Sequence, residues 1–416
     1  MKKILIFIVL GFLLTLTACG NKYSKSAYFE TGKMERTGTK VKGSKHKDLS
    51  VDDNYKDAIL NFSYLTASKL LADANVMYSP ISFYFALSQL SEITSGDTRK
   101  EIMNALLVDD IEVLRNGYNN LYKKITYFNN DSTLAIANSI WLKKDGTYSD
   151  DPLKVLADKY YTSSYGVDFS DETTKNKIED WISDHTGNKL GKGDFKDLDP
   201  LTFFVLLNTV YFYDEWDKRF EKKYNFQDNF ASVGEVTYMK NTIEGYYLDG
   251  PDYESSYLNF KNGMRISFIL PNEGKSVMDF VSDPNKLQMA FNINTMQPFE
   301  VNYKIPKYYY KSSFNLINFA KSLGIVSVFD NADFSTLTDA DLYVSKMFQK
   351  SFIEIDEQGG RAAAYTGIVG VEKAAPGETV DIFLNRPFIY AIYSSDYPIF
   401  IGVVNNPNNH DEFQYE

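Results

Sequence analysis

Thiols and imidazoles are scarce: 416 residues hold one cysteine, Cys19, and three histidines, His46, His185 and His410. His46 lies in a polar N-terminal stretch and His410 in the C-terminal tail, so only His185, on a segment with helical patterning, belongs to the folded part. A histidine-rich metal centre and a Cys–His catalytic pair are therefore excluded. A Ser–His–Asp triad would have to use His185, which has no specific neighbour in the sequence. Glycine-rich phosphate loops are missing as well, since Gly359-Gly360 is a pair and not a fingerprint. The scattered Asp and Glu residues show no spacing that singles out a glycosidase pair. Positive charge is also short. Lys and Arg number 44 against 55 Asp and Glu, and the net charge of -11 argues against a nucleic-acid partner, which would need clustered cations.

What is present begins at the N-terminus. Lys2 and Lys3 precede an apolar run from Ile4 to Leu16, too short and wrongly flanked for a mature membrane-spanning helix. The run closes in Leu16-Thr17-Ala18-Cys19-Gly20, where small residues leave a signal peptidase room to reach the backbone. The pattern resembles a bacterial lipobox. That resemblance implies a signal peptide over residues 1–18 and a lipidated Cys19 as the mature N-terminus. It also implies an extracytoplasmic protein held to a bacterial cell membrane by acyl chains and not by a spanning helix. The other reading is an ordinary secretory signal with an incidental cysteine, but a lone cysteine here has no disulfide partner in the chain. From Gly20 to about Asp48 the chain is rich in Lys, Ser, Gly and Thr, so residues 19–49 read as lipidated cysteine plus flexible tether.

Residues 50–408 show no internal repeat and no Pro- or Gly-rich break, which indicates one domain followed by a short tail, 409–416. Apolar residues make up 44% of the chain and aromatics 15%, enough for a large core. Ala58, Ile59, Phe62, Leu65 and Leu70 recur at helical spacing within Asp57–Leu71. A second amphipathic stretch runs from Ile81 to Ile93, and Thr98 is placed to cap a third helix through Ile102 to Leu107. Strand patterns follow at Leu134–Leu142, Thr202–Tyr213, Met264–Leu270 and Glu300–Ile305. More come at Phe352–Ile355, Val380–Phe383, Phe388–Tyr393 and Ile399–Val404. Helices early and strands late indicate an α+β protein.

Several segments carry a resemblance when taken in order. They are Asn75-Val76-Met77-Tyr78-Ser79-Pro80-Ile81-Ser82, Gly96-Asp97-Thr98, Ala137-Asn138-Ser139-Ile140-Trp141, and Trp181 with Thr186. Asn208 through Trp216, Leu270-Pro271 and Ala332-Asp333-Phe334-Ser335 continue the series. It ends in Ile382-Phe383-Leu384-Asn385-Arg386-Pro387-Phe388-Ile389-Tyr390 and Gly402-Val403-Val404-Asn405-Asn406-Pro407. Together they resemble the landmarks of the serpin family over about residues 50 to 408. The resemblance implies three β-sheets, eight or nine helices and an exposed reactive loop near the C-terminus, about residues 357–381. In inhibitory members a target protease cleaves this loop and forms an acyl-enzyme. The severed loop then inserts into the central sheet as a new strand and drags the protease along. No cofactor or metal is implied, and the expected partner of a monomeric chain is the protease.

The hinge implied by the family follows Ile353-Glu354-Ile355-Asp356 and comprises Glu357, Gly359, Gly360, Ala362, Ala363, Ala364 and Thr366. Strand side chains alternate between faces, so only every second residue must enter the interior. By family register those are Gly360, Ala362, Ala364 and Thr366, all small. Arg361 and Tyr365 depart from the usual hinge but fall on the outward face. Gly360 stands where Thr or Ser is usual, which raises the entropy cost of ordering. Family spacing, counted from Gly359 and from Arg386-Pro387, places the scissile bond between Lys373 and Ala374. A lysine there suits trypsin-like proteases, while Val371 or Ala375 would suit an elastase-like one, and cysteine proteases remain open.

The resemblance assigns six more residues to control of sheet opening. Ser79, Ser82 and Asn208 match a polar cluster beneath the opening, with Gln349 where histidine is usual. A neutral amide both donates and accepts hydrogen bonds, as imidazole does, but carries no pH-dependent charge. Trp216 and a Glu357–Lys307 ion pair match the upper end, where plain surface packing is the alternative. The expected function is irreversible inhibition of a trypsin-like serine protease, not catalysis. The competing readings are a non-inhibitory surface binding protein and, with least support, a hydrolase built on His185.

Overall fold

The computed structural model describes residues 49–128, 132–191, 202–231, 233–360 and 378–415. Cys19 with its signal and tether, and the loop residues Arg361, Ala362, Ala363, Ala364, Tyr365, Thr366, Lys373 and Ala374, lie outside the described residues.

Helix α1 (Asp53–Leu70) leads through strand β1 (Val76–Tyr78) into α2 (Pro80–Ile93), α3 (Gly96–Ala105) and α4 (Ile111–Ile125). Strands β2 (Tyr127–Phe128) and β3 (Thr133–Lys143) follow, then α5 (Asp150–Tyr160), β4 (Thr162–Val167), α6 (Glu172–His185) and β5 (Phe204–Glu215). Next come β6 (Phe226–Phe230), β7 (Gly234–Asp249), β8 (Tyr253–Asn259) and β9 (Met264–Pro271). Short helices α7 (Met278–Val281) and α8 (Pro284–Ala290) precede β10 (Gln297–Pro306), β11 (Tyr308–Asn315), α9 (Ile317–Ser322), β12 (Phe348–Ile355) and β13 (Gly359–Gly360). Last are β14 (Thr379–Phe383), β15 (Phe388–Ser394), β16 (Tyr397–Val404) and β17 (Phe413–Tyr415). Among the described residues these make nine α-helices and three sheets, the α+β architecture the sequence implies. No helix among the described residues is long and apolar enough to cross a membrane.

Local chemistry explains the helix starts. Asp52 caps α1 by accepting from Tyr55 N at 3.2 Å. Along α1, Ala58, Ile59, Phe62 and Leu70 are buried as their spacing suggests, but Leu65 points to solvent. Helix α2 starts at Ser79-Pro80, with Ser79 Oγ accepting from Ser82 N at 3.3 Å and proline at the first position, where its missing N–H costs nothing. The expected cap of α3 is corrected. The helix begins two residues before Thr98, after Ser95, and the Thr98 hydroxyl instead accepts from Asp333 N at 3.0 Å, tying a distant loop down.

Nine strands form the largest sheet, in the order β1-β16-β15-β9-β8-β7-β10-β14 with β6 beside β7. Strands β15 and β16 are buried at every residue and form its floor. The central layer is divided. Strands β13-β5-β3-β2, with β4 on β3, make one sheet, and β12-β11-β17 make another. The facing edges of β5 and β12 are not hydrogen-bonded to each other, and they border a slot above α2. Its upper end is lined by Val210, Phe212, Phe352 and Gly360, its lower end by Leu206, Asn208, Met347 and Gln349.

Residues 409–415 are more than a tail. Strand β17 pairs in parallel with β11, Ser312 opposite Phe413, and both Phe413 and Tyr415 pack on Phe314. His410 stacks on Tyr309 at 3.8 Å. The segment covers an edge of β11 that would otherwise be free to pair with another chain.

Candidate functional site

At the top of the slot the chain leaves β12 and reverses in a hairpin. Asp356 N and Gly359 N each donate to the other residue's carbonyl at 3.2 Å, and Gln358 N donates to Asp356 Oδ1 at 2.8 Å. Trp216, 1% exposed and stacked on Phe260 at 4.7 Å, holds this hairpin twice. Its ring Nε1 donates to Asp356 O at 2.8 Å and its backbone N to Gln358 O at 3.0 Å. Glu357 accepts from Lys307 Nζ at 3.0 Å and from the Asn225 amide. Burial works to raise the Glu357 carboxyl, but the Asn225 hydrogen bond, its own backbone N–H and Lys307 outweigh it and hold the pKa below the ordinary value. Asp356 goes the other way: burial raises it, and the charges of Glu357 and Glu354 add to that.

Beyond the hairpin, Gly359 and Gly360 enter the slot and pair antiparallel with β5, opposite Glu215 and Asp214. Both glycines are buried. Gly359 has φ +136, and a Cβ on it would lie 2.4 Å from the Asp214 carbonyl oxygen. A Cβ on Gly360 would lie 2.7 Å from the Phe212 ring. Glycine at these two positions therefore answers a close approach to β5. The end of β5 carries two buried acids that sequence reasoning missed. Asp214 accepts from Tyr127 OH at 3.1 Å and Asn262 Nδ2 at 3.0 Å, and burial pushes its pKa up. Glu215 is paired with both Lys261 and Arg219. The available signal was an Asp-Glu pair closing a strand otherwise free of charge.

Below, the residues assigned to sheet opening come together. Gln349 Oε1 accepts from Ser79 N at 2.8 Å, and its Nε2 donates to Ser79 O at 2.9 Å, so one amide makes both bonds. Ser79 Oγ donates to Ile399 O at 2.7 Å, which ties the cluster to β16. Ser82 Oγ donates to Asn208 Oδ1, and Asn208 Nδ2 donates to Asn138 Oδ1. From Asn138 the network continues to Gln89 Nε2 at 3.0 Å and to Tyr118 OH and Tyr160 O, each at 2.8 Å. Asn138 was legible as a landmark but not as a member of this network. The signal was there: it shares the inward face of β3 with Leu134, Ile136 and Ile140, where a polar residue must find partners.

His185 lies at the end of α6 and does not line the slot. Its ring stacks on Trp181 at 4.2 Å and its Nδ1 is 2.7 Å from Trp181 O, a contact within one helical turn. Lys373, Ala374 and the hinge residues Ala362, Ala363, Ala364 and Thr366 lie outside the described residues.

Comparison with known proteins bears on this arrangement. Serpin A3-3 of Bos taurus is 30% identical over 349 residues, 80% of this chain and 84% of its own length. The native-state structure of tengpin, a thermophilic serpin, superposes with a TM-score of 0.76 at 29% identity, covering 86% of this chain and 95% of tengpin. The fold alone is shared with thyroxine-binding globulin in complex with thyroxine, at a TM-score of 0.73 and 24% identity, covering 85% of this chain and 100% of that one. A family model described as serpin (serine protease inhibitor) matches residues 57–407. The chain belongs to the serpin family, whose members are generally protease inhibitors rather than enzymes.

Proposed function

We propose that this chain is a suicide-substrate inhibitor of trypsin-like serine proteases, lipid-anchored at Cys19, with Lys373-Ala374 as its bait. One observation carries the inhibitory part: Gly359 and Gly360 already occupy the top of the slot in antiparallel register with β5. Continued one residue per rung, that register would set Ala362 opposite Phe212, Ala364 opposite Val210 and Thr366 opposite Asn208. Gly360, Asp214, Phe212 and Val210 share the face toward the main core. The entering residues on that face would then be small, and the one polar member would arrive at the polar cluster around Asn208.

In this reading the protease serine attacks the Lys373 carbonyl carbon. The bond to Ala374 breaks, Ala374 leaves as a free amine carrying the proton, and Lys373 stays esterified to the enzyme. The freed hinge then fills the slot, exchanging solvent-facing edges on β5 and β12 for paired ones. The ester is carried away before water can reach it.

Incubation with trypsin should give a covalent complex that survives boiling in detergent, and Lys373→Ala should abolish it or move it to another protease class. Clean cleavage with no trapped complex would replace this proposal with the surface-binding reading. Globomycin-sensitive processing and loss of membrane fractionation in Cys19→Ser test the anchor separately.

A further inference from the structure

Past Pro407, where the family landmarks end, the chain turns back along the outer edge of β11, a contact the mechanism above does not use. One buried side chain makes the turn. Asn75, 6% exposed, donates through Nδ2 to Asn406 O at 2.6 Å and to Asn409 O at 2.7 Å. Its Oδ1 accepts from Asn405 N at 2.8 Å and from Asn406 N at 2.9 Å, so all the hydrogen-bonding capacity of this amide is spent on the turn.

Beyond the turn the segment keeps one register. His410 Nδ1 lies 3.0 Å from Tyr309 O, 101 residues away in sequence, and the pairs Ser312–Phe413, Ser313–Gln414 and Phe314–Tyr415 hold the same offset. Phe413 and Tyr415 are half-buried and Gln414 is exposed, the alternation of a strand with one covered face. The two rings lie 5.8 Å and 6.0 Å from that of Phe314, which is fully buried. Glu412 reaches past β11 to Lys350 on β12 at 3.5 Å.

Strand β11 has need of such a cover. It reads Tyr-Tyr-Tyr-Lys-Ser-Ser-Phe-Asn, with one charge and no proline or glycine, a composition that pairs readily with its own kind. Among the described residues, β12 holds one of its edges and β17 alone holds the other. Without β17, β11 and β12 would form a two-stranded ribbon, which is marginal in water, with Phe314 uncovered beside an open edge.

We propose that residues 409–415 are a built-in cap on a strand-docking site, and that the partner this site fits when uncapped is the same β11 edge of a second copy of the chain. Two copies would meet about a twofold axis with β11 antiparallel to β11, because an isologous interface uses one patch twice. Each ribbon would then regain the further strand that the cap supplies within one chain. In the intact protein the cap wins by proximity. A segment joined through so short a turn acts at an effective concentration on the order of millimolar, far above that of a second copy in dilute solution.

The test needs no protease, so it stands apart from the inhibitory reading. Sedimentation velocity is run on chains carrying Cys19→Ser, so that no acyl group contributes to association. The full-length chain should be a monomer over the whole concentration range. The same chain stopped after Asn408 should at least double its weight-average mass as concentration rises, and excess synthetic peptide of residues 408–416 should return it to monomer. Phe413→Ser combined with Tyr415→Ser loosens only the grip on Phe314. It should associate more weakly than the truncated chain, and it carries the test should that chain fold poorly. A truncated chain and a double variant that both stay monomeric overturn the proposal. Oligomers that the peptide leaves intact overturn it too, because their contact would then not be the β11 edge.

Discussion

Strands β15 and β16 and strand β5 are built from the same kind of residue and lead opposite lives. Each of the first two is paired on both sides, β16 between β1 and β15, and β15 between β16 and β9, with every residue buried. In β5, only Leu207 among the ten residues from Phe204 to Tyr213 is buried, while the acids Asp214 and Glu215 at its end are. A strand that half exposes its apolar residues and buries its charges is short of its burial optimum. The deficit sits along one edge, which faces β12 across the slot. The contrast teaches where free energy is held back. One half of the molecule is finished, and the other would gain burial and hydrogen bonds if a further strand arrived, as proposed above.

The largest expected effect lies on the finished side. Ile401→Ala in β16 removes a fully buried side chain and should cost about 2–5 kcal/mol of stability by urea unfolding. The loss should be equal before and after the reactive loop is cut, because this region is complete in both states. A loss that changed on cleavage would erase the contrast. Val210→Ala in β5 should behave differently. With one side open, it should cost only about 1 kcal/mol in uncleaved protein. After cleavage the cost should rise, since a strand packed against Val210 turns a half-open site into a cavity. Equal losses before and after would mean that nothing enters beside β5.

Much of this contrast was legible in the sequence, though not its cause. Alternation and apolar runs locate β3, β9, β10, β15 and β16 to within a few residues, because those strands obey a local period. Strand β7 escaped notice. Its 16 residues carry Glu235, Lys240, Asn241, Glu244 and Asp249, and it serves three partners in succession, β6, β10 and β8, so no one burial pattern runs its length. Strand β17 was invisible for a related reason, since three residues mean nothing until Ser312–Phe314 is known to lie beside them. At the site, the family resemblance leads to the expectation that Gly359, Gly360 and Gln349 matter together, and the structure places all three along the slot. Asp214 and the network through Asn138 did not follow from it, because each acquires its meaning from a partner far away in the chain. The slot itself is an absence of pairing between two good strands, and no local pattern encodes that.

The smallest expected effect tests the contrast at the hinge, where adjacent carboxyls are held in opposite directions. Asp356 has its pKa raised, chiefly by burial and then by Glu357 and Glu354, so its charge is a cost to the folded state near neutral pH. Asp356→Asn keeps an acceptor for Gln358 N and removes that cost. The variant should unfold at slightly higher urea at pH 7. Its advantage should shrink as pH falls and vanish below about 3.8, the ordinary aspartate value, where both proteins are neutral at this position. Glu357 is the mirror case. Its pKa is lowered, so its ion pair with Lys307 contributes above the ordinary glutamate value of 4.5 and is lost as pH drops through the folded value. Glu357→Gln should therefore be less stable than wild type at pH 7 and indistinguishable from it in acid. Two neighbouring substitutions of the same chemical kind then move stability in opposite directions at neutral pH. If both moved it the same way, the hinge would be responding to packing and not to charge, and Lys307 would lose its place at the mouth of the slot.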